Sequence, residues 1–148
     1  MHFEHQEFVL DLKPTWTTVS GPDPEQFQFE SKRLASTLTI SILPAGVPSD
    51  RLQEVAEKFL EIRRQAEVDT DASRTITFGD RWVKRKRDEE VVEIAYAGYD
   101  NRGRIFRFMG FVTTRKIVSF YCESMTDDNE QAKQIFDEAF RGFRFYVP

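Results

Sequence analysis

Cysteine and histidine are scarce in this sequence of 148 residues, which contains one cysteine and two histidines. Cys122 has no second cysteine with which to form a disulfide within the chain, and this usage fits a reducing compartment. His2 and His5 stand in an N-terminal segment that we expect to fray. A histidine-rich zinc site or a Ser–His–Asp triad therefore lacks a well-placed histidine, and we predict neither.

Motifs for catalysis and nucleotide binding are also missing. The sequence has no G-x-x-x-x-G-K-[ST], G-x-G-x-x-G or G-x-S-x-G pattern. The segment DTDAS at 69–73 resembles the start of a calcium loop, but Arg74 and Asp80 occupy positions that need glycine and glutamate. We predict no catalytic residues, no cofactor and no metal. An enzyme that uses carboxylates with Tyr96 or Tyr121 is an alternative without positive support.

Long apolar runs and an excess of basic charge are absent as well. No segment is apolar enough to cross a bilayer, and the N-terminal MHFEHQEFVLDLK lacks the pattern of a signal peptide. We expect a cytoplasmic protein, with a removed leader as the alternative. The net charge of −4 argues against general nucleic-acid binding. The one basic run, KRKR at 84–87, indicates a solvated strand end, with a protein-docking edge as the functional alternative.

Aromatic and β-forming residues are abundant. Fourteen phenylalanines, with Trp16 and Trp82, indicate a large aromatic core, an apolar surface or both. The length is typical of one domain, and we predict a single domain over residues 1–148. Runs rich in apolar and β-branched residues predict strands at 7–13, 15–20, 25–32, 37–43, 74–78, 81–87, 91–99, 104–112, 116–124 and 143–147.

Two amphipathic helices interrupt these strands. The segment 51–68 carries its apolar residues at three- and four-residue steps, and we assign its glutamates, Glu67 included, to the solvent face. The segment 129–142 has a second stripe, and Gly142 can end that helix. The two stripes consist of Leu52, Val55, Ala56, Phe59, Ile62 and Ala66, and of Ala132, Ile135, Phe136 and Ala139. This order predicts an α+β fold with an antiparallel sheet, one helix after the first strands and one C-terminal helix.

The strand pair around TTRK at 113–116 is apolar at both odd and even positions, so both of its faces need cover. A two-residue turn at Thr114 and Arg115 places Met109 opposite Phe120 and Arg107 opposite Cys122. The same reasoning with Asn101 and Arg102 as a two-residue turn assigns Val92, Ile94 and Tyr96 to the Met109 face. A slip of one residue in either turn would exchange the faces.

The second face of this hairpin has small residues in its middle and large ones at its border. We predict that it forms a shallow trough suited to a helix, and we assign partner binding to it. The predicted trough residues are Ala95, Ala97, Phe106, Phe108, Gly110, Val112, Ile117, Ser119 and Tyr121. One of the protein's own helices covers the trough, with one helix on each face of the sheet, or a partner's helix or a second copy does. A mixed outcome, with part of the face covered and part open, is a further alternative.

Three segments carry a resemblance to a known group of proteins. They are the opening FVLDLKPTWTTVS, the hairpin FQFESKRLASTLTISIL and the close QAKQIFDEAFRGFRF. Together with the order of elements, they resemble the PsbP-like fold that DcrB-type and Ran-binding Mog-type proteins share. In DcrB-type proteins a similar opening strand runs through a proline to a tryptophan, and a similar closing helix leads into a short strand.

The resemblance implies a sandwich of PsbP-like fold and a non-enzymatic binding role. A cytoplasmic branch similar to DcrB consists of dimeric adaptor chaperones that hold apolar helices of type VI secretion effectors. We therefore expect a non-catalytic protein-binding module, a homodimer, with no nucleic acid and no membrane insertion. The rival hypothesis is a carrier that binds a small apolar ligand between the sheet and the C-terminal helix.

Overall fold

The computed structural model describes residues 1–19, 23–68, 73–86 and 89–146. Most of the DTDAS segment and the end of the KRKR run lie outside these ranges. Within them the chain forms ten strands and two α-helices, α1 (Leu52–Val68) and α2 (Asn129–Arg141). The strands are β1 (His2–Glu4), β2 (Phe8–Asp11), β3 (Thr17–Val19), β4 (Gln26–Ser31), β5 (Ser36–Pro44), β6 (Ile76–Lys86), β7 (Val91–Asp100), β8 (Arg104–Thr113), β9 (Lys116–Met125) and β10 (Phe143–Phe145).

Seven of these strands form the main sheet, in the order β3-β4-β5-β9-β8-β7-β6, with antiparallel neighbours throughout. The predicted α+β fold class is therefore confirmed. The segments RTITF and RWVKRKR, which we predicted as two strands, are one strand, β6. Its pairing with β7 shifts between Phe78 and Arg81, so Gly79 and Asp80 form an irregularity in an otherwise continuous edge strand.

The remaining strands, β1, β2 and β10, form a separate small sheet that the sequence analysis did not predict. The N-terminal segment pairs with β2 instead of fraying, and Nε2 of His2 lies 3.0 Å from a carboxylate oxygen of Glu4. The final strand joins this small sheet through Phe143, which pairs with Leu10. Phe8 and Leu10 are fully buried, so the small sheet closes one side of the core.

Each face of the main sheet has its own apolar core. On the α2 face, α2 and the small sheet pack against Phe29, Leu38 and Phe120. The predicted α2 stripe is confirmed, because Ala132, Ile135, Phe136 and Ala139 are all buried. On the α1 face, α1 packs against strands β6, β7 and β8. The protein is thus a sandwich with one helix on each face of the main sheet.

Hydrogen bonds define both ends of α2. The side chain of Asp128, the residue before the helix, accepts hydrogen bonds from the backbone amides of Glu130 and Gln131. Gly142 ends the helix as predicted, and its backbone amide bonds back to the carbonyl oxygens of Ala139 and Phe140. Neither described helix combines the length and the apolar composition that crossing a bilayer requires.

The structure confirms one of the two predicted hairpin registers and contradicts the other. Met109 faces Phe120 and Arg107 faces Cys122, so the predicted pairing of β8 with β9 is confirmed. The predicted pairing of β7 with β8 is wrong by one residue. Three residues, 101–103, connect β7 to β8, and Gly103 has a φ of +78°. A three-residue loop that ends in a left-handed glycine is a common hairpin connection, and it exchanges the faces of β7.

Candidate ligand-binding cleft

The predicted trough is part of the protein's own core. Seven of its nine predicted residues lie on the α1 face, and α1 covers this face through Leu52, Ala56 and Leu60. All seven are buried except Tyr121, which is half-buried; the set consists of Phe106, Phe108, Gly110, Val112, Ile117, Ser119 and Tyr121. One of the protein's own helices therefore covers most of the predicted trough, while Ser119 and Tyr121 also line an open pocket on the same face.

Ala95 and Ala97, the other two predicted trough residues, lie on the α2 face. Ala95 faces Met109 and Ala97 faces Arg107 across the β7–β8 pair, because of the three-residue loop. Val92, Ile94 and Tyr96 are consequently on the α1 face, where the sequence analysis did not place them. The four small residues that suggested a trough are therefore divided between the faces: Gly110 and Ser119 lie on the α1 face, and Ala95 and Ala97 on the α2 face.

A cleft of about 310 Å³ opens above these alanines, between strands β6, β7 and β8 and the amino-terminal half of α2. We call it the α2-side cleft. The floor of the cleft consists of small residues, namely the two alanines and Gly79, which lies in the irregular part of β6. Its sides are larger, mainly apolar residues: Trp82, Tyr99, Ile105, Met109 and Phe136, with Asn129 at the start of α2.

Trp82 is the largest side chain in the cleft wall, and its position is fixed by hydrogen bonding. Its indole nitrogen donates to a carboxylate oxygen of Glu93 over 2.9 Å. The ammonium group of Lys84 lies 4.9 Å from the centre of the indole ring. These two polar contacts restrict the orientation of Trp82, which lines the cleft.

Arg107 is the basic residue in the cleft lining. It projects from β8 between Ala97 and Cys122. Its Nε atom is buried without a hydrogen-bond partner, and among the described residues no carboxylate pairs with its guanidinium. Asp80, at the exposed edge of β6, is the acidic residue of the lining. A ligand in the cleft would therefore meet apolar side chains, the guanidinium of Arg107 and the carboxylate of Asp80.

Cys122 lies on β9, opposite Arg107 of β8, and is buried. Burial raises the pKa of its thiol to about 12, although a hydrogen bond with Ser124 and the charge of Arg107 oppose the shift. The thiol therefore stays protonated at neutral pH, and it lacks the thiolate character of a nucleophile.

A second polar feature lies on the α1 face, at the carboxyl end of α1. Glu67 is buried there and accepts hydrogen bonds from the hydroxyl groups of Tyr96, over 3.1 Å, and Tyr121. Arg104 donates to the same carboxylate and also to Asp100. We call these five residues the Glu67 cluster. Burial raises the pKa of both tyrosines above the usual range, and the carboxylate of Glu67 adds to that rise.

The assignment of Glu67 to the solvent face was wrong. Ile62 and Ala66, which the stripe included, are exposed, whereas Leu60 and Glu67 are buried. The sequence did contain a signal that Glu67 is buried. Glu67 follows Leu60 by seven residues, or about two helical turns, so both residues lie on the same face of α1. Within the described residues no group of three or more His, Cys, Asp or Glu is placed to hold a metal ion.

The layers described above define the class of the fold. It is an α+β sandwich of PsbP-like fold, as the comparison with solved structures shows. The chain is similar to the solution structure of cyanobacterial PsbP (CyanoP) from Synechocystis sp. PCC 6803, with a TM-score of 0.67 and 16% sequence identity over 99% of this chain and 92% of that chain. No protein-family model matches the chain, and no curated protein does.

Proposed function

We propose that the protein is a non-catalytic binding protein that holds a small apolar molecule in the α2-side cleft. The observation that carries the proposal is the cleft itself. It leaves about 310 Å³ open between the main sheet and α2, on a floor of Ala95 and Ala97. Ligand sites of proteins are concave and mainly apolar, with a few polar groups that fix orientation. The cleft is concave and combines apolar side chains with the polar groups of Asp80, Arg107 and Asn129.

The proposal follows from the side chains that surround the cleft. Met109 and Phe136 belong to the packed core of the α2 face, so that side of the cleft is rigid. Tyr99 stands at the opposite side with 44% of its surface exposed, which leaves an entrance. The site therefore needs no large rearrangement to admit a ligand.

Binding of a neutral apolar probe tests this function. N-phenyl-1-naphthylamine should bind the native protein with a rise in fluorescence. The variant Ala97→Leu places a larger side chain on the cleft floor and should weaken binding at least ten-fold. Ala66→Leu is the matched control, because residue 66 is exposed on α1, across the main sheet from the cleft. Equal affinities of the two variants would refute the proposal, as would a native protein that does not bind the probe.

A protein-binding role is the second candidate. In its specific form the protein would be a dimeric, cytoplasmic adaptor chaperone for apolar helices of a type VI secretion effector. The observation in its favour is the narrow apolar contact of α1, which consists mainly of Leu52, Ala56 and Leu60. A partner helix with a longer apolar stripe could replace α1 on this face. The trough as it stands is covered, so this role requires that α1 move.

Affinity purification from the native organism, followed by mass spectrometry, tests the second candidate. A bound effector whose retention is lost when Leu60 is replaced by Gln would support it. The control is Ile62→Gln, because Ile62 is 66% exposed on the same helix. The absence of a protein partner at native expression, with a monomeric mass in solution, would argue against it.

A further inference from the structure

We infer that the ligand of the α2-side cleft is a small apolar carboxylate whose head group binds Arg107. This inference rests on the proposed function and adds a chemical class to it. It starts from Arg107, a half-buried residue that lines the cleft. Its Nε atom is buried without a hydrogen-bond partner, and among the described residues no carboxylate pairs with the rest of its guanidinium. Buried polar groups in folded proteins are nearly always paired, and an unpaired buried donor of a charged group is among the most costly exceptions.

Other arginines with a buried Nε show how this chain normally compensates such a group. The guanidinium of Arg63 lies 4.8 Å from the ring centre of Phe108 and 5.1 Å from that of Tyr121. Arg64 lies 4.5 Å from the ring centre of Phe78 and pairs with Glu61 over 3.3 Å. Arg107 has neither kind of partner among the described residues. Its neighbours across the sheet are the methyl group of Ala97 and the thiol of Cys122.

A carboxylate is the group that fits this donor set. The guanidinium has five donors in a planar fork, which pairs with the two oxygens of a carboxylate in parallel hydrogen bonds. Such a pair is shorter and stronger than a bond to a neutral acceptor. The acidic residue of the lining, Asp80, is exposed and does not bond to Arg107. Asp128, beside the start of α2, already accepts two backbone amides of that helix.

The side chains of the cleft walls indicate the chemistry of the ligand beyond its carboxylate. Ile105 and Met109 flank Arg107 on the same face of β8, while Trp82 and Phe136 stand on opposite sides of the cleft. These groups suit hydrocarbon. The cleft volume of about 310 Å³ lies at the lower end of ligand pockets, roughly 300–1,000 Å³. The expected ligand is therefore a short aliphatic or monoaromatic carboxylate and not a long-chain fatty acid.

Displacement of N-phenyl-1-naphthylamine by octanoate and by 1-octanol tests this inference. The two probes share a hydrocarbon chain and differ in the head group. For the native protein, octanoate should displace the dye at a concentration at least ten-fold lower than 1-octanol. The variant Arg107→Met should remove that difference and leave displacement by 1-octanol unchanged. Arg144→Met is the control, because Arg144 is exposed on the small sheet, and it should behave as the native protein.

The outcomes separate the inference from the function on which it rests. Dye binding with equal displacement by both probes would overturn the carboxylate and leave the apolar cleft standing. A native protein that does not bind the dye would overturn both. Arg107→Lys provides a second variant should Arg107→Met not fold. It keeps the charge but loses the planar fork. The difference between the concentrations at which octanoate and 1-octanol displace the dye should therefore become smaller without disappearing. If the lysine variant showed the same difference between the two probes as the native protein, bidentate recognition of the carboxylate would be contradicted.

Discussion

Arg104, at the start of β8, donates a hydrogen bond of 2.8 Å from Nη2 to a carboxylate oxygen of Glu67 in the last turn of α1. The same arginine pairs with Asp100 over 3.2 Å and with Glu123 over 3.0 Å. The exposed residues Ala66 and Val68 flank Glu67 in this turn. The carboxyl end of α1 is thus attached to the main sheet by charged hydrogen bonds, whereas its amino-terminal half is attached by Leu52, Ala56 and Leu60.

Replacement of Glu67 tests how much this attachment contributes. Glu67→Gln should lower the free energy of unfolding by about 1.5–3 kcal/mol, because Arg104 and the hydroxyl groups of Tyr96 and Tyr121 lose a charged hydrogen-bond acceptor. Glu61→Gln is the control on the same helix, since Glu61 is 60% exposed and its ion pairs with Arg64 and Arg81 lie at the surface. That change should stay within about 0.5 kcal/mol. Urea denaturation measures both values, and equal losses would show that the cluster does not stabilise the fold.

Gly142 is required by a close approach of two backbone segments. The amide of Asp11 donates to the carbonyl oxygen of Gly142 over 2.8 Å, which joins the end of α2 to β2. A Cβ atom on Gly142 would lie 1.8 Å from the carbonyl oxygen of Asp11. Gly142→Ala should therefore cost at least about 3 kcal/mol of stability, since backbone must move. Gly46→Ala has open space around it and should leave the melting temperature unchanged. Similar melting temperatures for both variants would contradict the tight contact.

Features that depend on neighbouring residues in the sequence were predictable. The stripe of α2 and the pairing of β8 with β9 each follow from a short local pattern, a helical period in one case and a two-residue turn in the other. Leu38, Ile40 and Ile42 likewise follow the alternation of a half-buried strand and are buried. The PsbP-like fold was predictable for the same reason, because the resemblance rested on the order and apolar pattern of such elements.

The α2-side cleft was not predictable, because distant parts of the chain create it. The cleft forms only when the irregularity at Gly79, the alanines of β7 and the amino-terminal half of α2 come together. The sequence analysis recognised the importance of Ala95 and Ala97 but assigned them to the wrong face. The cause was one additional loop residue, Gly103, whose conformation is not visible in an apolar pattern. Glu67 was missed because a charged residue on a buried stripe is read as a solvent position.

The loop that sets this register is a site for a third test. Gly103 has a φ of +78°, a conformation that side chains with a Cβ adopt reluctantly, and nothing crowds its Cβ position. Gly103→Ala should therefore cost about 1 kcal/mol through backbone strain alone. Gly103→Asn should cost less, because asparagine tolerates left-handed conformations better than alanine. Thermal unfolding compares the two, and an equal cost, or a larger cost for asparagine, would rule out this account of the loop.

The thiol of Cys122 provides a test of burial by pH. The folded protein holds the thiol proton up to a pKa of about 12, whereas the ordinary value is 9.0. The unfolded chain therefore binds fewer protons above pH 9, and this group's contribution to stability, which is complete below pH 9, declines as pH rises from about 9 towards 12. The decline should approach about 1.4 kcal/mol per pH unit. Cys122→Ala should show a shallower loss of stability between pH 9 and 10 than the native protein.

The same burial predicts how Cys122 reacts. At pH 8 the native protein should resist a maleimide reagent, and labelling should become fast only in denaturant, because the thiol is both protonated and inaccessible. Mass spectrometry after timed labelling measures the rate. Rapid labelling at pH 8 without denaturant would show that the α2 face opens, and the buried environment described for Cys122 would then be incorrect.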